Sequence, residues 1–445
     1  MAFRRPRRRV GALVAAFAGC LALAACGGLG ETDSGGGGGG SGGGNVTLSF
    51  LVDNNPANVK LAEGVASAFH ARNPNITVKV TTRPQGGDGD NVVKTRLATG
   101  EMDDVFAYNS GSLFQALSPQ KNLVPLNDQP WVKSLEKAFT PSVSAGGQVY
   151  GAPYGSSFGG GVLYNKKVFA KLGLEVPKTW GQFMANNAKI KAAGVAPVIQ
   201  TYQDTWTSQL FVLGDYHNVQ ATDPSWATKY TRNQVKYVQS PAFAGFQHLQ
   251  QVHQAGYENK DYRSIKFEQG LRELATGKGA QYPMLSNAVA QIAAQTPQQV
   301  DDIGFFALPG DDAAKNGVTL WLPGGLYIPK TTTGAKLDAA KKFAAFLTTK
   351  EGCDAASKAF TPAGPYMVKG CDLPADLPPA VKDLTPYVDG GKVTPALEFL
   401  SPVKGPALEQ ITVEVGSGLR SAQKGASLYD QDVKKQAQQL GLPGW

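Results

Sequence analysis

Histidine and cysteine are scarce, four of each in 445 residues. His70, His217, His248 and His253 are the only candidates for an imidazole base, and none stands in a recognisable catalytic setting. His248 and His253 are five apart, without the i, i+4 spacing or the glutamate of a zinc helix, so neither metal nor cofactor is expected. Acidic residues are absent from positions 1–25, where Arg4, Arg5, Arg7, Arg8 and Arg9 gather. Without those five the net charge of +8 drops to +3, and no basic stripe interleaved with aromatics follows, which excludes a nucleic-acid partner. After residue 26 no apolar run is long enough to span a bilayer. The loop Gly86-Gly87-Asp88-Gly89 lacks the Lys-Ser/Thr that a phosphate cradle needs, so no ATPase core is present.

What is present describes an exported globular protein. Hydrophobic residues make up 42% and charged ones 18%, and the length exceeds one ordinary core, so two domains are expected. The arginines read as the start of an export signal over 1–25, and 10–25 is its short apolar stretch. Leu23-Ala24-Ala25-Cys26 resembles a bacterial lipobox, in which the cysteine is lipidated and becomes N-terminal after cleavage. Two linked lipids at Cys26 suffice for stable attachment to the outer face of the cytoplasmic membrane. Positions 26–44, with the run GGGGGGSGGG, form a flexible tether with a reach of roughly 25 Å. The mature chain keeps Cys353 and Cys371; outside the cytoplasm an even pair reads as a disulfide, with two buried free thiols as the alternative.

The body opens with strand patterns at 45–52, 76–82 and 104–108, separated by helical patterns at 59–72 and 91–99. This βαβ alternation predicts a parallel sheet covered by helices. Ligands of such sheets sit beyond the carboxyl ends of the strands, which places Asp53, Asn54 and Asn55 after the first strand and Asn109 and Ser110 after the third on one rim. Turn chemistry is the plainer reading of the asparagines. At 146–169 an extended run passes through Pro153 and small residues, then restarts as a strand and turns helical, the pattern of a hinge.

Tyr150, Pro153, Leu163-Tyr164-Asn165-Lys166 and Phe169 together resemble the first crossover of the extracellular solute-binding proteins of ABC importers, the carbohydrate-binding group (family 1). Pro177, Thr179, Trp180 and Phe183, then Gly277-Lys278-Gly279-Ala280, the strand 303–310 and the return 321–330 follow in that family's order. The sequence departs from the pattern at Leu285-Ser286-Asn287-Ala288, where the family commonly carries a tryptophan. The resemblance implies a two-lobed α/β fold of the periplasmic-binding-protein type (type II), each lobe a sheet flanked by helices, joined by a multi-strand hinge. It places 45–153 with 312–348 in lobe I and 154–311 with 349–445 in lobe II. It also implies a small-molecule solute, carbohydrate above all, ABC permease subunits as membrane partners, and a monomer.

Binding a sugar requires amide and carboxylate groups for its hydroxyls and aromatic rings for its C–H faces. Asp53, Asn54, Tyr108, Asn109, Tyr154, Tyr202, Asp204, Trp206, Asn287, Trp321 and Gly324 are the candidates, with Trp206 and Trp321 favoured because polar or glycine residues surround them. Core packing is the plainer role for any one ring, and an N-cap for Asp204. A lipid-anchored serine hydrolase is the alternative, since Gly155-Ser156-Ser157-Phe158-Gly159 matches a nucleophile elbow at Ser157. Glycine and strand follow that serine instead of a helix, which disfavours it.

Overall fold

The computed structural model describes residues 44–445. The export signal, Cys26 and the glycine tether lie outside these residues. Within them the chain runs β1 (Val46–Asp53), α1 (Pro56–Arg72), β2 (Ile76–Arg83), α2 (Gly86–Thr99) and β3 (Val105–Tyr108). A small hairpin, β4 (Ser144–Ala145) and β5 (Gln148–Val149), precedes β6 (Gly151–Tyr154) and β7 (Phe158–Asn165). Then come β8 (Ala196–Val198), β9 (Gly279–Leu285), β10 (Ile303–Ala307), β11 (Val318–Trp321), β12 (Gly324–Tyr327) and β13 (Val393–Pro395), with helices between them.

Local chemistry explains where the early elements start. Asn55 caps α1 by accepting from the Ala57 amide, and Pro56 takes the first helical turn, where no amide is needed. Asn55, expected on the rim from sequence, is thus with Pro56 the helix entry. α2 also starts earlier than its apolar pattern suggests, because the glycine loop itself forms the first turn. Gly89 is required there: a Cβ would overlap the Pro84 carbonyl and the Arg83 guanidinium.

Two sheets result. The first has the order β2-β1-β3-β12-β6, parallel from β2 through β3, with β12 antiparallel to both β3 and β6. The second has the order β13-β11-β7-β9-β8. β7 is long enough to pair with β11 through Gly160 and with β10 from Gly161 onward, on the side away from β9. Phe50, Phe69, Phe106, Phe114 and Phe343 fill the core against the first sheet; Phe183, Trp226, Tyr230, Phe246 and Tyr429 do so in the second region.

Two of the chain's passages between the sheets lie at adjacent points. β6 leads through Gly155, Ser156 and Ser157 into β7, with Gly155 at a φ of 87° that favours glycine. β11 leads through Leu322 and Pro323 into β12. Two segments sit elsewhere than the sequence suggested. Val318–Trp321, expected in the first lobe, is hydrogen-bonded into the second sheet; Pro323 has no amide to donate, and the ladder breaks there instead. The helix Lys350–Ala359, expected in the second lobe, packs on α1, with Cys353 and Ala356 in the first core. Cys353 and Cys371 are joined as a disulfide. No helix among the described residues is long and apolar enough to cross a membrane.

Candidate binding site

Where the sheets meet, an open cleft of about 250 Å³ takes its walls from both. Asp53, Arg83, Tyr108 and Asn109 come from the carboxyl ends of β1, β2 and β3, and Tyr154 and Gly324 from β6 and β12. Phe158, Asn287 and Trp321 come from the second sheet and the turn after β9. Of the rim residues expected from parallel-sheet topology, Asp53, Asn109 and Ser110 line this cleft, and Asn54 and Asn55 do not.

Each side chain is held by its neighbours. Asp53 accepts from the Asn55 amide at 3.0 Å and from Asn58 Nδ2 at 2.8 Å, so it organises the turn that forms the rim. Tyr108 is buried, and its hydroxyl has no hydrogen-bond partner among the described residues. Burial pushes its phenol above the usual range, and the nearby Asp90 carboxylate adds to the shift. Tyr154 meets Phe50 edge-on at 5.6 Å, and its hydroxyl donates to the Asn58 carbonyl at 3.4 Å. Its phenol is also raised, by burial first and Asp53 second. Gly324 allows β12 to approach β3, because a Cβ would lie 2.8 Å from the Tyr108 carbonyl oxygen. Trp321 lies over Gly160, where a Cβ would overlap its ring.

The remaining candidates fall outside the lining. Asn54 is exposed beyond the rim, 3.5 Å from Gln85 Nε2 through its Oδ1. Tyr202 is buried edge-on against Tyr262 at 5.3 Å. Asp204 accepts from the Phe267 amide at 2.7 Å, fastening the start of the helix Phe267–Thr276. Trp206 packs edge-on against Phe267 at 5.1 Å. Tyr202, Asp204 and Trp206 are thus occupied with packing outside the cleft, which the loop's polar composition alone did not reveal.

Sequence reasoning missed Arg83, Asn58, Phe158, Glu398, Phe360 and Phe399, all of which line the cleft. Arg83 was within reach: its register partner is Asp53, so the same rim rule covers it. Phe360 and Phe399 arrive from segments with no local signal.

Ser157 is fully buried, and its hydroxyl donates to the Pro365 carbonyl at 2.7 Å. All four histidines are engaged elsewhere, with the Ile76 carbonyl, Thr394, the Trp180 ring and Glu258. The serine-hydrolase alternative therefore has no base within the described residues, and the nucleophile is not presented.

The family profile described as bacterial extracellular solute-binding protein matches residues 54–352. The chain belongs to that family. The multiple sugar-binding protein of Streptococcus mutans is 28% identical over 290 residues, which cover 63% of this chain and 66% of that protein, just under two thirds of its length. A solved chitin oligosaccharide binding protein superposes with a TM-score of 0.76 at 22% identity, covering 88% of this chain and 99% of the other. A solute-binding protein named RafE, solved in complex with raffinose, gives 0.71 at 20% identity, covering 88% and 100%. The two-lobed α/β fold is that of these solute-binding proteins.

Proposed function

We propose that this chain captures a carbohydrate in the cleft between its sheets and delivers it to an ABC permease. The observation that carries the reading is convergence: Tyr108 and Tyr154 from the first sheet and Phe158 and Trp321 from the second reach one cleft, with Asn58, Asn109 and Asn287 among them. Rings accept the C–H faces of a pyranose, and amides pair with its hydroxyls in both donor and acceptor roles. The multiple sugar-binding relative supports the same class of solute. The role in this reading is binding, which the description of the family as solute-binding proteins supports.

In this reading the lobes are 44–154 with 324–373 and 158–321 with 379–445, joined at 155–157, 322–323 and 374–378. The protein works as a monomer attached through lipidated Cys26, and the solute stabilises the shut form by touching both lobes. A thermal-shift screen of the full-length protein tests the function. Neutral and acidic oligosaccharides, amino acids, polyamines and metal ions would be compared at matched concentrations. A saccharide present at a hundred times its dissociation constant adds about 2.7 kcal/mol of stability, enough to raise Tm by several degrees. A response only to amino acids or polyamines would reject the carbohydrate reading.

A further inference from the structure

Arg83 is a cation in the cleft lining that no carboxylate among the described residues meets within ion-pair distance. It ends β2, lines the cleft and is only 7% exposed. Its Nη1 donates to the Pro84 carbonyl at 3.1 Å, and its Nε is buried with no partner. Among the described residues, none forms an ion pair with it within 4.0 Å. A guanidinium taken out of water without a carboxylate is costly, and such exceptions mark functional sites.

The acids nearby do not supply that partner. Asp53 has each oxygen engaged, one by the Asn55 amide and one by Asn58. Glu398 is paired with Lys404 at 2.7 Å. Asp90 attracts Arg83 from beyond ion-pair distance, and burial works against its own charge. Meanwhile the Arg83 guanidinium is fixed in place, 5.4 Å from the centre of the Tyr108 ring and close over Gly89. A planar, positioned fork of donors beside an aromatic ring suits an oxyanion held beside a sugar face.

We propose that the solute is an anionic saccharide, whose carboxylate or sulfate pairs with Arg83 at the β2 end of the cleft. This rests on the carbohydrate reading given above. Uronic acid oligosaccharides and sulfated sugars share the recognised group, and the test separates them.

The experiment is calorimetric titration of the full-length protein with matched sets of oligosaccharides: neutral, uronate-bearing and sulfated forms of the same length and linkage. The acidic member of at least one set should bind at least tenfold more tightly than its neutral counterpart, and that preference should shrink as sodium chloride rises from 50 to 500 mM. Whether the uronate or the sulfate shows the gain identifies the source of the oxyanion. Arg83→Gln should erase the preference, bringing the ratio of acidic to neutral affinity to about one, and Arg83→Lys should keep part of it. Tm values for both variants guard against misreading a misfolded protein. Neutral sugars binding as well as acidic ones, or a preference that survives Arg83→Gln, would overturn this inference alone. Failure of every saccharide to bind would remove the carbohydrate reading as well.

Discussion

Trp321 shows how much one residue can carry and how it is held. Its ring lines the cleft while its Cζ3 edge lies against Gly160. Trp321→Ala should weaken saccharide binding about tenfold or more by calorimetry, as expected for a buried aromatic anchor; unchanged affinity would remove the ring from the site. Gly160→Ala forces the ring to move, so it should cost roughly 1–3 kcal/mol of stability and also lower affinity. A second residue-scale prediction concerns Asp215. Burial, opposed by the hydrogen bond from Asn218 and reinforced by Asp311, raises its carboxyl from 3.8 to about 7. The folded protein then keeps a proton that the unfolded chain has released, so this group's stabilisation is present below about pH 4 and is lost as pH rises through 7. Asp215→Asn should flatten the decline of Tm between pH 5 and pH 8 and raise Tm at pH 8; an unchanged slope would show that Asp215 titrates normally. Trp321 stood out in the sequence by its polar and glycine neighbours, and it lines the cleft. Trp206 has similar neighbours, yet Phe267, sixty-one positions later, claims its ring, and nothing local announces that contact.

Among the elements, the segment that follows the helix Lys350–Ala359 ties the site together. Its Phe360 and Ala363 line the cleft. The Pro365 carbonyl accepts from the Ser157 amide and hydroxyl, and the Ala363 amide donates to Ser156 Oγ at 3.0 Å. Ser286 closes the circuit, donating to the Ala363 carbonyl and accepting from the Gly159 amide. The Cys353–Cys371 disulfide ties the far end of this segment back to the helix, across 18 positions. Replacing both cysteines by alanine should lower stability by about 3 kcal/mol on loop-closure grounds and weaken saccharide binding as well. A lower Tm with unaltered affinity would limit the bond to a structural role. The cysteine pair was visible from composition, but its tie to the cleft was not, because side-chain bonds across 200 positions leave no periodicity to read. The βαβ start was legible for the opposite reason: its strands, helices and caps are set by near neighbours. The β11–β12 boundary was misplaced by about ten residues, since only Pro323 marks the break and the strands on either side read alike.

At the level of the whole molecule, the fold is a device for bringing two rims together. Both sheets end at the cleft, with Gly155–Ser157 and Leu322–Pro323 as straps between them. The strand-end rule from sequence found the first rim, while the second was only partly anticipated. The contact of Glu398 and Phe399 on Gly111 came from positions nearly three hundred apart. If a saccharide bridges the rims, substitutions on either side must weaken it: Asn109→Ala on the first and Asn287→Ala on the second should each lower affinity severalfold, measured by calorimetry. An effect confined to one side would mean that the solute rests on a single lobe. The most direct test is a crystal structure of the protein with a saccharide that raises its Tm. The account predicts density for the sugar spanning the cleft, in contact with Tyr108 or Tyr154 on one side and with Trp321 or Phe158 on the other. Density at any other surface, or touching residues of one sheet only, would contradict it.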